Sequence, residues 1–124
     1  MKVARRGSRR PRSLDLDAAT PFERAVARFN ASEAGHAVAG LTRTLGRPRA
    51  SVGAAAGAPD EVRVTVAWEL SWYQWGVDVG DGLRPVFELG KGGEIAQLDP
   101  AARQWNAVVA EDGRLSLGRE PAGR

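Results

Sequence analysis

Cysteine is absent from this sequence. That excludes a disulfide framework, a thiolate nucleophile and any Cys-ligated zinc or iron–sulfur site. Histidine occurs once, at His36, so zinc sites of the multi-histidine kind are out of reach. Lysine is nearly missing as well: the 18 basic residues are 16 arginines and 2 lysines. Together with abundant alanine and glycine, this imbalance reads as the codon bias of a high-G+C bacterial genome, which discounts any argument from arginine number alone. No apolar run approaches the roughly 20 residues that cross a bilayer, and no apolar stretch of signal-peptide type follows the basic N-terminus. The sequence therefore predicts a cytoplasmic protein with no membrane span.

What is present fits one globular unit. A chain of 124 residues, 43% hydrophobic and 27% charged, suffices for one core and is too short for two ordinary domains. Charge is unevenly placed. Lys2, Arg5, Arg6, Arg9, Arg10 and Arg12 stand without an acid, so the first 12 residues carry +6 of a net +3 and the remainder carries −3. With nothing to bury and repelling charges, residues 1–14 are expected to be a disordered basic arm. Residues 15–120 are expected to form a single α+β domain, and 121–124 a short tail.

Order is expected to begin at Thr20-Pro21-Phe22-Glu23. These match a capping box, with Thr20 as N-cap, Pro21 preset for the first helical position and Glu23 reaching back. Phe22, Val26 and Phe29 make one apolar stripe; Ala34, Val38, Leu41 and Leu45 make another, out of phase with the first. The slip at 30–32 predicts either a kink or a second helix capped by Ser32. Gly46 and Pro48 end it.

From Arg49 the pattern turns to β. Residues 49–55 are a weak strand, rich in small residues. Val62, Val64, Val66, Trp68, Leu70 and Trp72 then alternate with polar residues, the clearest period-two signal in the chain. After Trp72 the bulky positions shift to Tyr73, Trp75, Val77 and Val79, which predicts a bulge near 73–76 that turns these side chains to the other face. A further strand is expected at about 84–89, a glycine turn at 90–93, a helical turn capped by Asp99, and a terminal hairpin of 104–110 with 114–118. The expected architecture is α+β: an N-terminal helix or kinked helix pair packed on one face of a 4–5-stranded antiparallel sheet.

That geometry leaves a second sheet face bare, and Tyr73, Trp75, Val77 and Val79 would place a large apolar patch on it. The first functional expectation is thus a non-catalytic binding or adaptor module that self-associates, or meets a protein partner, through this aromatic face. No catalytic constellation stands against it, and no cofactor or metal is expected. His36 falls away from the apolar stripe, with the Ser32 hydroxyl nearby but no carboxylate to complete a triad. Glu69 and Glu88 are expected on solvated strand faces. Gly90-Lys91-Gly92-Gly93 lacks the spacing of a phosphate loop.

A second expectation concerns nucleic acid. The stretch from Val38 to Val52 resembles, in spacing over about 15 residues, the middle of a helix-turn-helix. The resemblance implies a DNA-binding regulator with a second helix reaching residue 56 and with Arg47, Arg49 and Ser51 facing DNA. Arg5, Arg6, Arg9, Arg10 and Arg12 of the arm would add phosphate contacts. A small-molecule carrier or an enzyme with an aromatic pocket is the third expectation.

Overall fold

The computed structural model of the chain describes residues 20–80 and 85–118. The proposed arm, tail and loop residues at 81–84 lie outside the described residues. Two helices, α1 (Pro21–Asn30) and α2 (Glu33–Leu45), precede six strands: β1 (Arg49–Ala55), β2 (Ala58–Trp68), β3 (Ser71–Asp78), β4 (Val86–Gly92), β5 (Ala107–Val109) and β6 (Leu115–Leu117). All pairings are antiparallel, in the order β4-β3-β2-β1-β5-β6. The class is α+β. The sheet has six strands where four or five were expected, because residues 49–55 do pair and the C-terminal hairpin joins β1 through β5, with β6 outermost.

The helical punctuation is formed as its chemistry requires. Thr20 Oγ1 accepts from the Glu23 N–H at 3.1 Å, and the Glu23 carboxylate accepts from the Thr20 N–H at 2.8 Å. The phase slip resolves as two helices. Ser32 caps α2 by accepting from the Gly35 N–H at 3.3 Å, and its hydroxyl donates to the Phe29 carbonyl at 2.7 Å. Gly46, at φ 89°, terminates α2 in a conformation that a side chain would strain.

Three expectations for the sheet are corrected by its register. β2 pairs with β3 without interruption, from Glu61↔Asp78 to Trp68↔Ser71. The chain therefore reverses at Glu69-Leu70, and it is this two-residue turn, rather than a bulge in β3, that changes the parity of the bulky residues. Directly opposed residues share a face, so Tyr73, Trp75 and Val77 join Val66, Val64 and Val62 in one layer. Trp72, assigned by alternation to the core with Trp68, points the other way. An irregularity does occur between Gln74 and Trp75, but the extra residue is Leu89 on β4. Finally, Gly90 and Gly92 belong to β4 itself rather than to a turn.

The interior follows from this register. Ala25, Phe29 and Val38 of the helices pack with Val62, Val64, Val66, Trp68, Trp75 and Val77 in one cluster. The Phe29 ring meets Trp75 edge-on at 5.1 Å, a favoured arrangement for two ring quadrupoles. Trp68 donates its indole N–H to the Gly46 carbonyl at 2.7 Å, tying the end of α2 to the end of β2. On the opposite face two 3-10 turns, Ile95–Gln97 and Pro100–Arg103, carry Leu98 into a buried position. There Trp72 donates to the Glu94 carbonyl at 2.9 Å and to the Gln97 side chain at 3.1 Å. Asp99 precedes the second turn as expected, without a side-chain cap bond.

Candidate functional site

The aromatic patch is not a bare surface. Trp75, Val77 and Val79 are 7%, 0% and 9% exposed and lie in the same interior as Trp68. Tyr73 alone is half-buried, stacked on Trp75 with ring centroids 5.9 Å apart. The four residues expected to dock a partner therefore hold the fold together, and only Tyr73 keeps access to solvent.

What Tyr73 reaches is a groove. Adjacent strands lie about 4.8 Å apart, so six strands present a width of about 24 Å. Packed helices are spaced about 8–10 Å, so two of them do not span it. The shortfall falls beyond α2, where Ala34, Ala37 and Leu41 face Tyr73, Val86 and Glu88 across an open groove of about 490 Å³. Opposite Tyr73 on β4 stands Lys91, and opposite Trp75 stands Glu88. One cation and one carboxylate thus line the same rim of the sheet.

β4 is also one of the sheet's two edges, and the two are treated differently. At the other edge, the Asn30 side chain bonds both the N–H and the carbonyl of Leu115, at 2.9 Å each. Asn106 does the same for Val52, beyond the end of β5, at 2.8 and 2.9 Å. Each amide supplies the donor and acceptor that a neighbouring strand would. Along β4, the outer backbone from Glu88 to Gly92 takes no such bond from another described residue, and Leu89 is 40% exposed.

A second location gathers charge. Arg47 and Arg49 flank the buried Pro48 at the entry to β1, and with Trp105 and Val108 they line an open cavity of about 470 Å³. The Arg49 guanidinium lies 4.4 Å from the Trp105 ring centroid, within the range of cation–π attraction. Trp105 has φ 50°, a left-handed conformation that costs a bulky side chain about 1–3 kcal/mol unless its surroundings impose it. They do: the Trp105 N–H donates to Ser51 Oγ at 2.7 Å, and Asn106 next to it is doubly bonded to Val52. Two of the arginines singled out in the sequence are thereby brought together. Arg5, Arg6, Arg9, Arg10 and Arg12 lie outside the described residues.

Trp105 and the two asparagines went unrecognised in the sequence. The signal for Trp105 and Asn106 was Gln104-Trp105-Asn106, a short polar and aromatic interruption before a weak strand, and for Asn30 only its place at the phase slip between the helices.

The remaining candidates separate. Residues 49–55 are strand, so the second helix of the helix-turn-helix is not formed and Ser51 is buried, accepting from Trp105. His36 is exposed on α2 as expected, and the Ser32 hydroxyl is committed to its cap. Glu69 occupies the β2–β3 turn rather than a strand face, while Glu88 is exposed on the edge strand β4, opposite Trp75. Gln74, Thr65 and Arg63 border a pocket of only about 110 Å³ on the opposite sheet face, below the roughly 300 Å³ at which small-molecule sites begin. No helix among the described residues is long and apolar enough to cross a membrane. None of the protein-family models, curated proteins and solved structures compared with this chain matches it.

Proposed function

We propose that this protein is a non-catalytic interaction module that pairs with a second copy of itself along β4, with the groove beside α2 seating side chains from that copy. The reading rests on one observation: the β6 edge is closed by Asn30, whereas the β4 edge offers its backbone from Glu88 to Gly92. An open edge of this kind is a template for another strand.

Charge favours a second copy as the occupant. A two-fold axis passing between Glu88 and Lys91 relates two antiparallel β4 strands and sets the Glu88 of each copy nearer the Lys91 of the other than its own equivalent. Cross-strand pairs of opposite charge contribute about 0.2–1 kcal/mol, and like charges oppose pairing. Leu89, projecting at the irregularity, adds apolar area at the centre.

Sedimentation velocity across a concentration series is the test. The wild-type chain is expected to dimerise, Glu88→Lys to shift the equilibrium toward monomer, and the exchanged double variant E88K/K91E to restore the dimer. A monomer at every concentration, or a dimer indifferent to Glu88→Lys, overturns the reading.

A further inference from the structure

We infer that the cavity lined by Arg47, Arg49 and Trp105 binds a nucleotide, either free or within a single strand. The inference is independent of self-association, because this cavity lies at the β1–β5 side of the sheet and β4 at the far edge.

Three observations converge on this corner. The first is the strained backbone. Trp105 is held at φ 50° by the Ser51 hydroxyl and by the paired bonds of Asn106, and glycine or asparagine would occupy that position with less strain. A tryptophan kept there sets its ring against Arg49 and along the cavity wall. Strain of this kind gathers where a side chain must be aimed.

The second is the state of Arg49. One face of its guanidinium is occupied by the indole at 4.4 Å, and among the described residues no carboxylate pairs with it. Its N–H edges are left to a ligand. A guanidinium fixed by stacking presents parallel donors that match a phosphate bidentately, and its planar face also stacks on bases. Arg47 adds a second positive charge to the same rim, and the buried Pro48 between them limits how far the two arginines swing apart.

The third is size. The cavity, at about 470 Å³, falls within the roughly 300–1,000 Å³ of small-ligand sites. It combines a half-buried aromatic wall with cations, the pairing that single-stranded nucleic-acid binders use for base and backbone. A bare phosphate would use the arginines and leave the indole idle; a nucleotide uses both.

The experiment titrates the full chain with three probes: inorganic phosphate, adenosine monophosphate and a fluorescein-labelled ten-residue oligothymidylate. Calorimetry reads the first two and anisotropy the third. Saturable binding of the monophosphate or the oligonucleotide, at least tenfold tighter than inorganic phosphate, is expected. Preference between those two identifies a free nucleotide or a strand as the source. Arg49→Gln is expected to weaken binding at least tenfold. Arg49→Lys, which keeps the charge and loses the stacked fork, should also weaken it severalfold.

Trp105→Asn separates aiming from folding: it is expected to be more thermostable than Trp105→Ala, since asparagine tolerates the left-handed backbone, and yet to bind as poorly. A full-length variant with Arg5, Arg6, Arg9, Arg10 and Arg12 replaced by glutamine should retain binding of the monophosphate. The inference is overturned if no probe saturates, if inorganic phosphate binds as tightly as the nucleotide, if Arg49→Gln binds like wild type, or if monophosphate binding is lost with the N-terminal arginines alone.

Discussion

The side chain of Asn30, at the end of α1, pairs with Leu115 as a further strand would. Its Nδ2 donates to the Leu115 carbonyl and its Oδ1 accepts from the Leu115 N–H, both at 2.9 Å. One residue therefore joins the first helix to the last strand and closes that edge of the sheet. Asn30→Ala leaves both backbone groups of the buried Leu115 without that partner. Each such loss costs about 1–3 kcal/mol, so a destabilisation of about 2–6 kcal/mol is expected in urea denaturation. The Leu115 amide should lose its protection from hydrogen exchange; unchanged protection would show that β6 is held by other means.

Trp75 offers a direct check on where the aromatic residues lie. Enclosed by Phe29 and the valines of β2, it should contribute blue-shifted fluorescence inaccessible to iodide. Trp75→Ala is expected to cost about 3–5 kcal/mol, as truncation of a buried aromatic does. A loss below 1 kcal/mol with quenchable emission would place this ring on the surface instead.

Gly113, in the β5–β6 turn, combines two constraints. Its φ is 89°, and a Cβ there would collide with the backbone of Ala39 on α2. Left-handed backbone costs an L-residue about 1–2 kcal/mol, and overpacking adds about 1–3 kcal/mol. Gly113→Ala should therefore destabilise by about 2–5 kcal/mol. Ala39→Gly removes only the Cβ of that residue and keeps the backbone atoms that lie in the way, so it should recover little of the loss in the double variant, measurable as a small coupling energy by denaturation.

Thr42, on the inner side of α2, is 5% exposed, and its hydroxyl meets no hydrogen-bond partner among the described residues. Replacement by the near-isosteric valine removes an unsatisfied polar atom from the interior. Thr42→Val is expected to stabilise the protein by about 0.5–1.5 kcal/mol, raising the denaturation midpoint. A lower midpoint would mean that the hydroxyl is satisfied in solution.

Thr20→Ala tests a feature visible from four consecutive residues. With the cap bond to Glu23 removed, a loss of about 1 kcal/mol is expected, and Thr20→Ser should restore most of it.

What the sequence determined by itself is local in origin. Thr20, Pro21 and Glu23 place the start of α1; the phase slip at Asn30 and Ser32 separates two helices; Gly46 ends the second; and the alternation from Val62 marks β2. Each of these follows from the preferences of residues within a turn or a strand of one another, and such preferences do not depend on the rest of the chain. The terminal hairpin and the helical turn after Asp99 were legible for the same reason.

Tertiary structure decided which face each strand buries. A period-two pattern gives the alternation but not the point at which the chain reverses. The turn at Glu69-Leu70 sent Trp75 inward and Trp72 outward, opposite to what one continuous alternation implies. The weak strand at 49–55 is a strand because β2 and β5 pair with it on either side, overriding its small-residue composition. Asn30 with Leu115, and Arg49 with Trp105, are separated by 85 and 56 positions in the chain. Both meetings depend on register and layer packing, and long-range pairing of that kind is set only when the whole sheet closes.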